Sequence, residues 1–126
     1  MFSLSSSHHY FLYQGRCDMR KGFDGLCGLV STELGRNPTS GEVFVFLNRP
    51  RSHIKLLHWE NRGFVLYYKR LEKGTFSVPK AMDGRVSMSW AELVLMVEAA
   101  AARASRYKRA YRRRDSIFRC KKGTFY

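Results

Sequence analysis

The sequence predicts a single α+β domain. In it, a helix from the N-terminal half packs on a small antiparallel sheet of three to four strands, and a C-terminal helix leads into a basic tail. Three apolar runs rich in β-branched and aromatic residues, joined by hairpin-length connections, predict a meander. Apolar residues at helical spacing precede these runs, and a capping box follows them. The domain is expected to span residues 1–102 and the tail residues 103–126.

The first predicted elements are a short strand over residues 10–13 and a helix capped by Asp18 and ended by Gly35. Glycines at 22, 25 and 28 fall inside this helix, and each costs up to about 1 kcal/mol relative to alanine. They predict close internal packing against the helix; the alternative is a helix that begins after Asp18. The helix buries one apolar stripe, formed by Met19, Phe23, Leu26, Val30 and Leu34.

The meander is predicted to use strands at 42–48, 53–59 and 64–70, with Trp59 paired to Phe64. This register leaves neither face of the sheet polar, so both faces need a cover. The N-terminal helix can cover one face. The other requires the C-terminal helix or a second molecule.

A connector over residues 73–88 leads to the capping box of Ser89 and Glu92, where the C-terminal helix begins. The alanine run 99–102 allows this helix to continue into the tail. We expect the tail to be helical when it is docked on a partner.

Charge is the main indication of function. The chain carries a net charge of +13, and residues 103–126 hold ten of its basic side chains against the single acid Asp115. Such a polycation favours the phosphate backbone of nucleic acid; an anionic membrane surface or a role in solubility are the alternatives. No apolar run approaches the roughly 20 residues of a membrane span, and the first residues do not resemble a signal peptide, so we expect a cytoplasmic protein.

The meander also concentrates charge. The end of its first strand, the start of its second and the end of its third lie at one edge of the sheet, where basic residues should converge. Arg20 and Lys21 are placed in the first turn of a helix, where the dipole disfavours cations, and this favours an anionic partner. The predicted nucleic-acid-binding residues are Arg20, Lys21, Arg49, Arg51, Lys55, Lys69, Arg70, Lys73, Arg106, Lys108, Arg109, Arg112, Arg113 and Arg114.

Aromatic side chains in the meander offer a second kind of contact. Trp59, Tyr67 and Tyr68 could stack on bases if they are exposed, but packing within the strands is the favoured interpretation.

Catalysis has weaker support in the sequence. The four histidines and nearby basic residues suit a small basic ribonuclease. However, we expect His58 to pack inside an apolar strand and His8 and His9 to be exposed to solvent. The acidic residues show no grouping that would hold catalytic metal ions, and there is no phosphate-binding glycine loop. Three separated cysteines, Cys17, Cys27 and Cys120, favour reduced thiols over a zinc site or disulfides. We therefore predict a protein that is not an enzyme and has no metal or cofactor.

Four segments in the same order resemble the TnpB accessory protein of the insertion-sequence sixty-six family. They read DMRKGFDGL at 18–26, GEVFVF at 41–46, IKLLHW at 54–59 and GFVLYYKRLEKG at 63–74. The resemblance covers about residues 2–79, resumes weakly over 89–98 and fades in the tail.

This resemblance implies a bacterial mobile element in which a small non-catalytic protein is encoded beside the transposase and is required for DNA transposition. DNA, such as the element ends, and the transposase are the implied partners, with a location at the nucleoid. The resemblance also gives functional weight to Arg20, Lys21, Lys69 and Arg70. A protein–protein adaptor for the transposase that does not touch DNA is the alternative function, and a small ribonuclease is a more distant one.

Overall fold

A computed structural model describes residues 4–79 and 85–98 and confirms the α+β class. The basic tail, the predicted helix beyond residue 98 and the domain boundary at residue 102 lie outside these residues. The elements in chain order are β1 (Tyr10–Leu12), α1 (Phe23–Thr32), β2 (Val43–Leu47), β3 (His53–Glu60), β4 (Gly63–Arg70), β5 (Ser87–Met88) and α2, which is helical from residue 90 to residue 98.

The meander of β2, β3 and β4 forms as predicted. Trp59 pairs with Phe64, and Leu57 pairs with Leu66, so the predicted register is confirmed. A two-residue loop, Asn61 and Arg62, joins β3 to β4, and both of its residues have positive φ angles of 49° and 67°. This is the conformation of the tight turns that match the twist of paired strands.

The sheet has five strands, in the order β4-β3-β2-β1-β5. β1 pairs with β2 in parallel, so α1 crosses over from one end of the sheet to the other. β5 adds two residues antiparallel to β1 within the predicted connector. Neither pairing was predicted, because each joins a short strand to a partner distant in the sequence.

The start of α1 differs from the prediction. Gly22, not Asp18, is the N-cap residue, so the alternative of a later start is correct. Asp18 forms a local turn instead, in which its Oδ1 accepts a hydrogen bond from the backbone N–H of Arg20 at 2.9 Å. An aspartate side chain accepts backbone hydrogen bonds in a turn as readily as at the start of a helix, which explains why Asp18 was predicted to be the N-cap.

The glycines of α1 do not mark close packing. A Cβ atom placed at Gly22 or Gly28 would meet nothing within 4 Å, and one at Gly25 would approach the flexible side chain of Lys21 to 3.1 Å. Phe23, predicted to be part of the apolar stripe, is 46% exposed. The outer face of α1 is therefore open along these positions.

Each face of the sheet has its own core. α1 buries Leu26 and Val30 against Phe44, Phe46 and Leu57 on one face. The other face is covered by α2, through Leu93 and Met96, and by Phe76 of the connector. The sequence predicted either the C-terminal helix or a second molecule on this face, and the structure places the helix there.

The predicted capping box at the start of α2 is present. The Ser89 Oγ accepts a hydrogen bond from the Glu92 backbone N–H, and the Glu92 carboxylate accepts one from the Ser89 N–H.

Candidate nucleic-acid interface

The basic residues of the described chain gather at one end of the sheet. The β1–α1 loop, the β2–β3 turn and the end of β4 all lie there, because β1 and β2 run in parallel and β3 returns between β2 and β4. We call residues 13–22, 48–52 and 69–73 the cationic end. It carries Arg16, Arg20, Lys21, Arg49, Arg51, Lys69, Arg70 and Lys73, against the acids Asp18 and Glu72.

A groove opens at the carboxyl ends of β1 and β2, within the cationic end. Its volume is about 210 Å³, and Gln14, Arg16, Asn48, Arg49 and Arg51 supply most of its polar lining. Within the part of the chain that the structure describes, no carboxylate forms an ion pair with Arg16, Arg49 or Arg51. Three arginines that line one concave surface suit a phosphate group, which accepts hydrogen bonds from several donors at once.

The β2–β3 turn holds two of these arginines in a fixed geometry. The Asn48 Oδ1 accepts hydrogen bonds from the backbone N–H groups of Ser52 and His53, at 2.9 Å and 3.0 Å. Arg51 donates its backbone N–H to the Asn48 carbonyl, and its own carbonyl accepts from Phe76 at 2.8 Å. Its φ angle of 58° is in the left-handed region, which costs a side-chain-bearing residue about 1–2 kcal/mol. The turn therefore retains an arginine where glycine would be favoured.

Lys55, a predicted phosphate ligand, does not lie on this surface. Only 6% of the residue is exposed, and its Nζ donates hydrogen bonds to the carbonyl oxygens of Met19 and Lys21, at 2.8 Å and 2.9 Å. The ammonium group also lies 4.6 Å from the centre of the Tyr68 ring, and burial lowers the pKa of Lys55. Alternate residues of a strand face opposite sides of the sheet, so Lys55 points towards the loop before α1. Its two hydrogen bonds attach this loop to β3.

Two of the predicted basic residues are paired with neighbouring acids. Arg20 forms a bidentate pair with Asp18, with the shortest contact at 2.8 Å, and hydrogen bonds from Arg20 lower the pKa of Asp18 to about 2. Arg70 contacts Glu72 at 3.4 Å. All four side chains are on the surface, so these pairs can exchange for phosphate contacts at little cost. Arg20 and Lys21 precede α1, so the predicted conflict with the first helical turn does not arise.

The histidines lie at two ends of the sheet. We call the end of the sheet opposite the cationic end the far end. It carries His8, His9, Arg36, Glu42, His58, Glu60 and Arg62. His58 is buried, as predicted, and its ring lies 4.9 Å from that of His8. His8 was predicted to be solvated, but its Nδ1 is buried. His53 lies alone at the cationic end, with its Nδ1 at 2.9 Å from the Asn48 amide nitrogen and 2.8 Å from the Ser52 hydroxyl. The structure therefore does not gather the histidines into one site.

Aromatic residues behave mainly as packing residues. Tyr67 is buried, Tyr68 lies against Lys55, and Trp59 meets Phe64 edge to face at 4.8 Å between ring centres. The exposed aromatic residue beside the cationic end is Phe23, which the sequence analysis assigned to the core.

Arg16 is the residue of the groove that the sequence analysis missed. The signal was present, because Arg16 lies in the loop that follows β1, and the carboxyl end of a parallel strand is a common binding site. It could be used only if β1 was known to pair with β2. The predicted tail ligands Arg106, Lys108, Arg109, Arg112, Arg113 and Arg114 lie outside the described residues.

Comparison with known proteins identifies the family. A model of the IS66 Orf2 like protein matches residues 8–107, most of the chain. The chain belongs to this family. The match confirms the resemblance and extends it through residues 80–88 and into the start of the tail. IS66 Orf2 like proteins are accessory proteins of insertion sequences and are associated with transposition.

Two curated relatives of this IS66 Orf2 like protein come from Sinorhizobium fredii. Uncharacterized protein y4jC is 36% identical over 80 residues, which cover 64% of this chain and 68% of the relative. Uncharacterized protein y4hO is 39% identical over 79 residues, which cover 63% and 69%. No solved structure gives a significant match.

Two properties of the described residues bear on membranes and on metals. None of the helices there has the length and apolar character needed to cross a membrane. The same part of the chain contains no group of three histidine, cysteine or acidic side chains that could hold a metal ion.

Proposed function

We propose that this protein is a non-catalytic accessory factor that binds DNA during transposition through its cationic end and helps to assemble the transposase on that DNA. The observation that carries the proposal is the groove at the carboxyl ends of β1 and β2, where Arg16, Arg49 and Arg51 lie without an acidic partner among the described residues. The family supplies the link to transposition.

The charge distribution supports a DNA backbone as the ligand. Phosphates occur at regular intervals along a duplex, and a surface with several arginines can contact more than one of them. The groove is also lined by Gln14 and Asn48, but their side-chain amides are engaged with the Arg85 carbonyl and with Ser52 and His53. The arginines are therefore the groups of the groove that would contact the DNA backbone. Such contacts set the position of the protein on DNA and give affinity that depends strongly on salt.

The first test measures binding of the full chain to a fluorescent duplex at several salt concentrations. The duplex is short enough to hold one protein molecule, and element-end DNA is compared with a random sequence. The test variant is Arg49→Gln with Arg51→Gln; the control is Arg36→Gln with Arg62→Gln, which removes the same charge from the far end. Each lost phosphate contact should reduce the slope of log affinity against log salt by about 0.9.

We expect the test variant to lose about two units of slope and the control to keep the slope of the parent. Equal losses in both variants would mean that net charge alone drives binding, and would refute the assignment to the cationic end. No binding of the parent chain at about 50 mM salt would refute DNA binding and favour the adaptor function.

The tail is tested separately, in the full chain, by Arg112→Gln with Arg113→Gln and Arg114→Gln. We expect weaker binding with a flatter salt dependence and an unchanged preference for element-end DNA, because a dense polycation reads charge and not sequence. A loss of sequence preference would assign the reading of DNA to the tail.

A further inference from the structure

β4 is the last strand at one side of the sheet, and it is long, at eight residues. No described residue pairs with its outer side. The two-residue turn makes Glu60 and Gly63 a hydrogen-bonded pair, so odd-numbered residues of β4 bond to β3. The hydrogen bond from the Leu71 N–H to the Ser52 carbonyl, at 2.8 Å, agrees with this alternation. The backbone groups of Phe64, Leu66, Tyr68 and Arg70 therefore point outward.

The side chains along this edge are mostly apolar. Phe64, Val65, Leu66 and Tyr68 are only half-buried, on both faces of the sheet. Exposed edges of this length usually carry charged side chains, a proline or a bulge that blocks pairing with another strand. β4 carries such charges only at its end, in Lys69 and Arg70. The centre of the strand is thus open to pairing.

We propose that the outer edge of β4 binds β4 of a second copy of this chain, antiparallel, so that the two sheets form one sheet of ten strands. A parallel arrangement would place the cations at 69 and 70 of both copies side by side. The antiparallel arrangement separates them and sets each pair against the apolar start of the other strand.

The outward backbone groups restrict the register. Because even-numbered residues must bond to even-numbered residues, the twofold axis passes through a residue and not between two residues. At the middle of β4 this residue is Leu66 or Tyr67. An axis at Leu66 would place Arg62 opposite Arg70, two like charges. An axis at Tyr67 places Phe64 opposite Arg70, and it places Arg62 opposite Glu72, the acid that also contacts Arg70 of its own copy. Charge complementarity therefore selects the axis at Tyr67.

This arrangement points the cationic ends of the two copies in opposite directions. If the proposed function holds, a dimer of this kind could hold two DNA segments, one at each end. The association itself does not depend on DNA, so it is tested in its absence and its failure is distinguishable from failure of the proposed function.

The experiment measures the mass of the full chain by sedimentation over a range of concentrations. Within one copy, Arg62 and Glu72 lie just beyond opposite ends of β4, on the order of 30 Å apart, so a charge coupling between them reports a contact between copies. We expect a dimer for the parent chain. Arg62→Glu and Glu72→Arg should each weaken it about tenfold, because the contact occurs twice around the axis and like charges then face each other. The double exchange should restore it.

Leu66→Pro provides a second variant. It removes an outward N–H and no hydrogen bond to β3, so it should abolish the dimer, while Leu66→Thr keeps the N–H and retains it. Circular dichroism shows whether each variant is folded. A parent chain that remains monomeric, or a double exchange that fails to restore the dimer of the single variants, would overturn the proposal.

Discussion

The cationic end and the far end of the sheet have similar backbones and different charges. Each has a tight turn with an arginine in the left-handed region, Arg51 at 58° and Arg62 at 67°. At the far end, however, Arg36 pairs with Glu42 at 2.6 Å, and Glu60 lies beside Arg62 in the hairpin. At the cationic end the three arginines of the groove have no such partner among the described residues.

This difference shows that turn geometry alone does not make a binding site. At the far end the charged side chains form local pairs. At the cationic end arginines surround a concave surface, and the buried Lys55 holds the loop that carries Arg16 through two hydrogen bonds.

Replacing Lys55 should cause the largest loss of stability. Lys55→Met keeps the aliphatic stem and removes the ammonium group, so the carbonyls of Met19 and Lys21 lose their donor. We expect the free energy of unfolding to fall by about 1–3 kcal/mol, measured by urea denaturation. Lys21→Met, at an exposed position of the same loop, is the control and should be close to neutral. An unchanged urea midpoint for Lys55→Met would show that the loop is held by other contacts.

Arg51→Gly and Arg62→Gly compare the two turns directly. Each relieves the left-handed strain, and this gain exceeds the cost of adding freedom to the unfolded chain. Both should therefore stabilise the fold by a net amount of about 0.5–1 kcal/mol. Only Arg51→Gly should weaken binding to a short DNA duplex, because only Arg51 lines the groove. If both variants bind like the parent chain, Arg51 is held in its strained turn for a reason other than DNA.

Changes of pH near neutrality should have the smallest effect on folding stability, because His53 and His58 are already neutral there. Burial lowers the pKa of both, from an ordinary value of 6.5. The unfolded chain therefore binds more protons, so stability should be complete above about pH 6.5 and should fall as the pH drops below it. His58 is the more buried and faces His8, Glu42 and Glu60, while Arg70 and Lys55 act on His53. His58→Gln should flatten the dependence of urea midpoint on pH more than His53→Gln, and the reverse order would contradict this ranking.

The meander was predictable because local rules determine it. Short hairpin loops and alternating side chains set the pairing of Trp59 with Phe64, and the crowding of Arg49, Arg51 and Arg70 at one edge follows from that pairing. The capping box of α2 was predictable for the same reason, since its two hydrogen bonds span three residues.

The features that escaped prediction depend on distant pairings or on the face that a side chain occupies. Lys55 lies at the predicted edge in sequence, but its side chain faces α1 and is buried. Arg16 enters the groove only through the parallel pairing of β1 with β2. β5 has two residues, too few for any periodic pattern.

The parallel pairing of β1 with β2 has a consequence for how the chain folds. β2, β3 and β4 are adjacent in the sequence and can associate quickly through short loops, whereas β1 must wait for β2, about thirty residues later. β5 is made later still and pairs with β1. During synthesis the ribosome delivers β1 first, yet its place in the sheet exists only after the meander has formed. The strand made first is thus among the last to dock, and its amide hydrogens should exchange with solvent before those of β3.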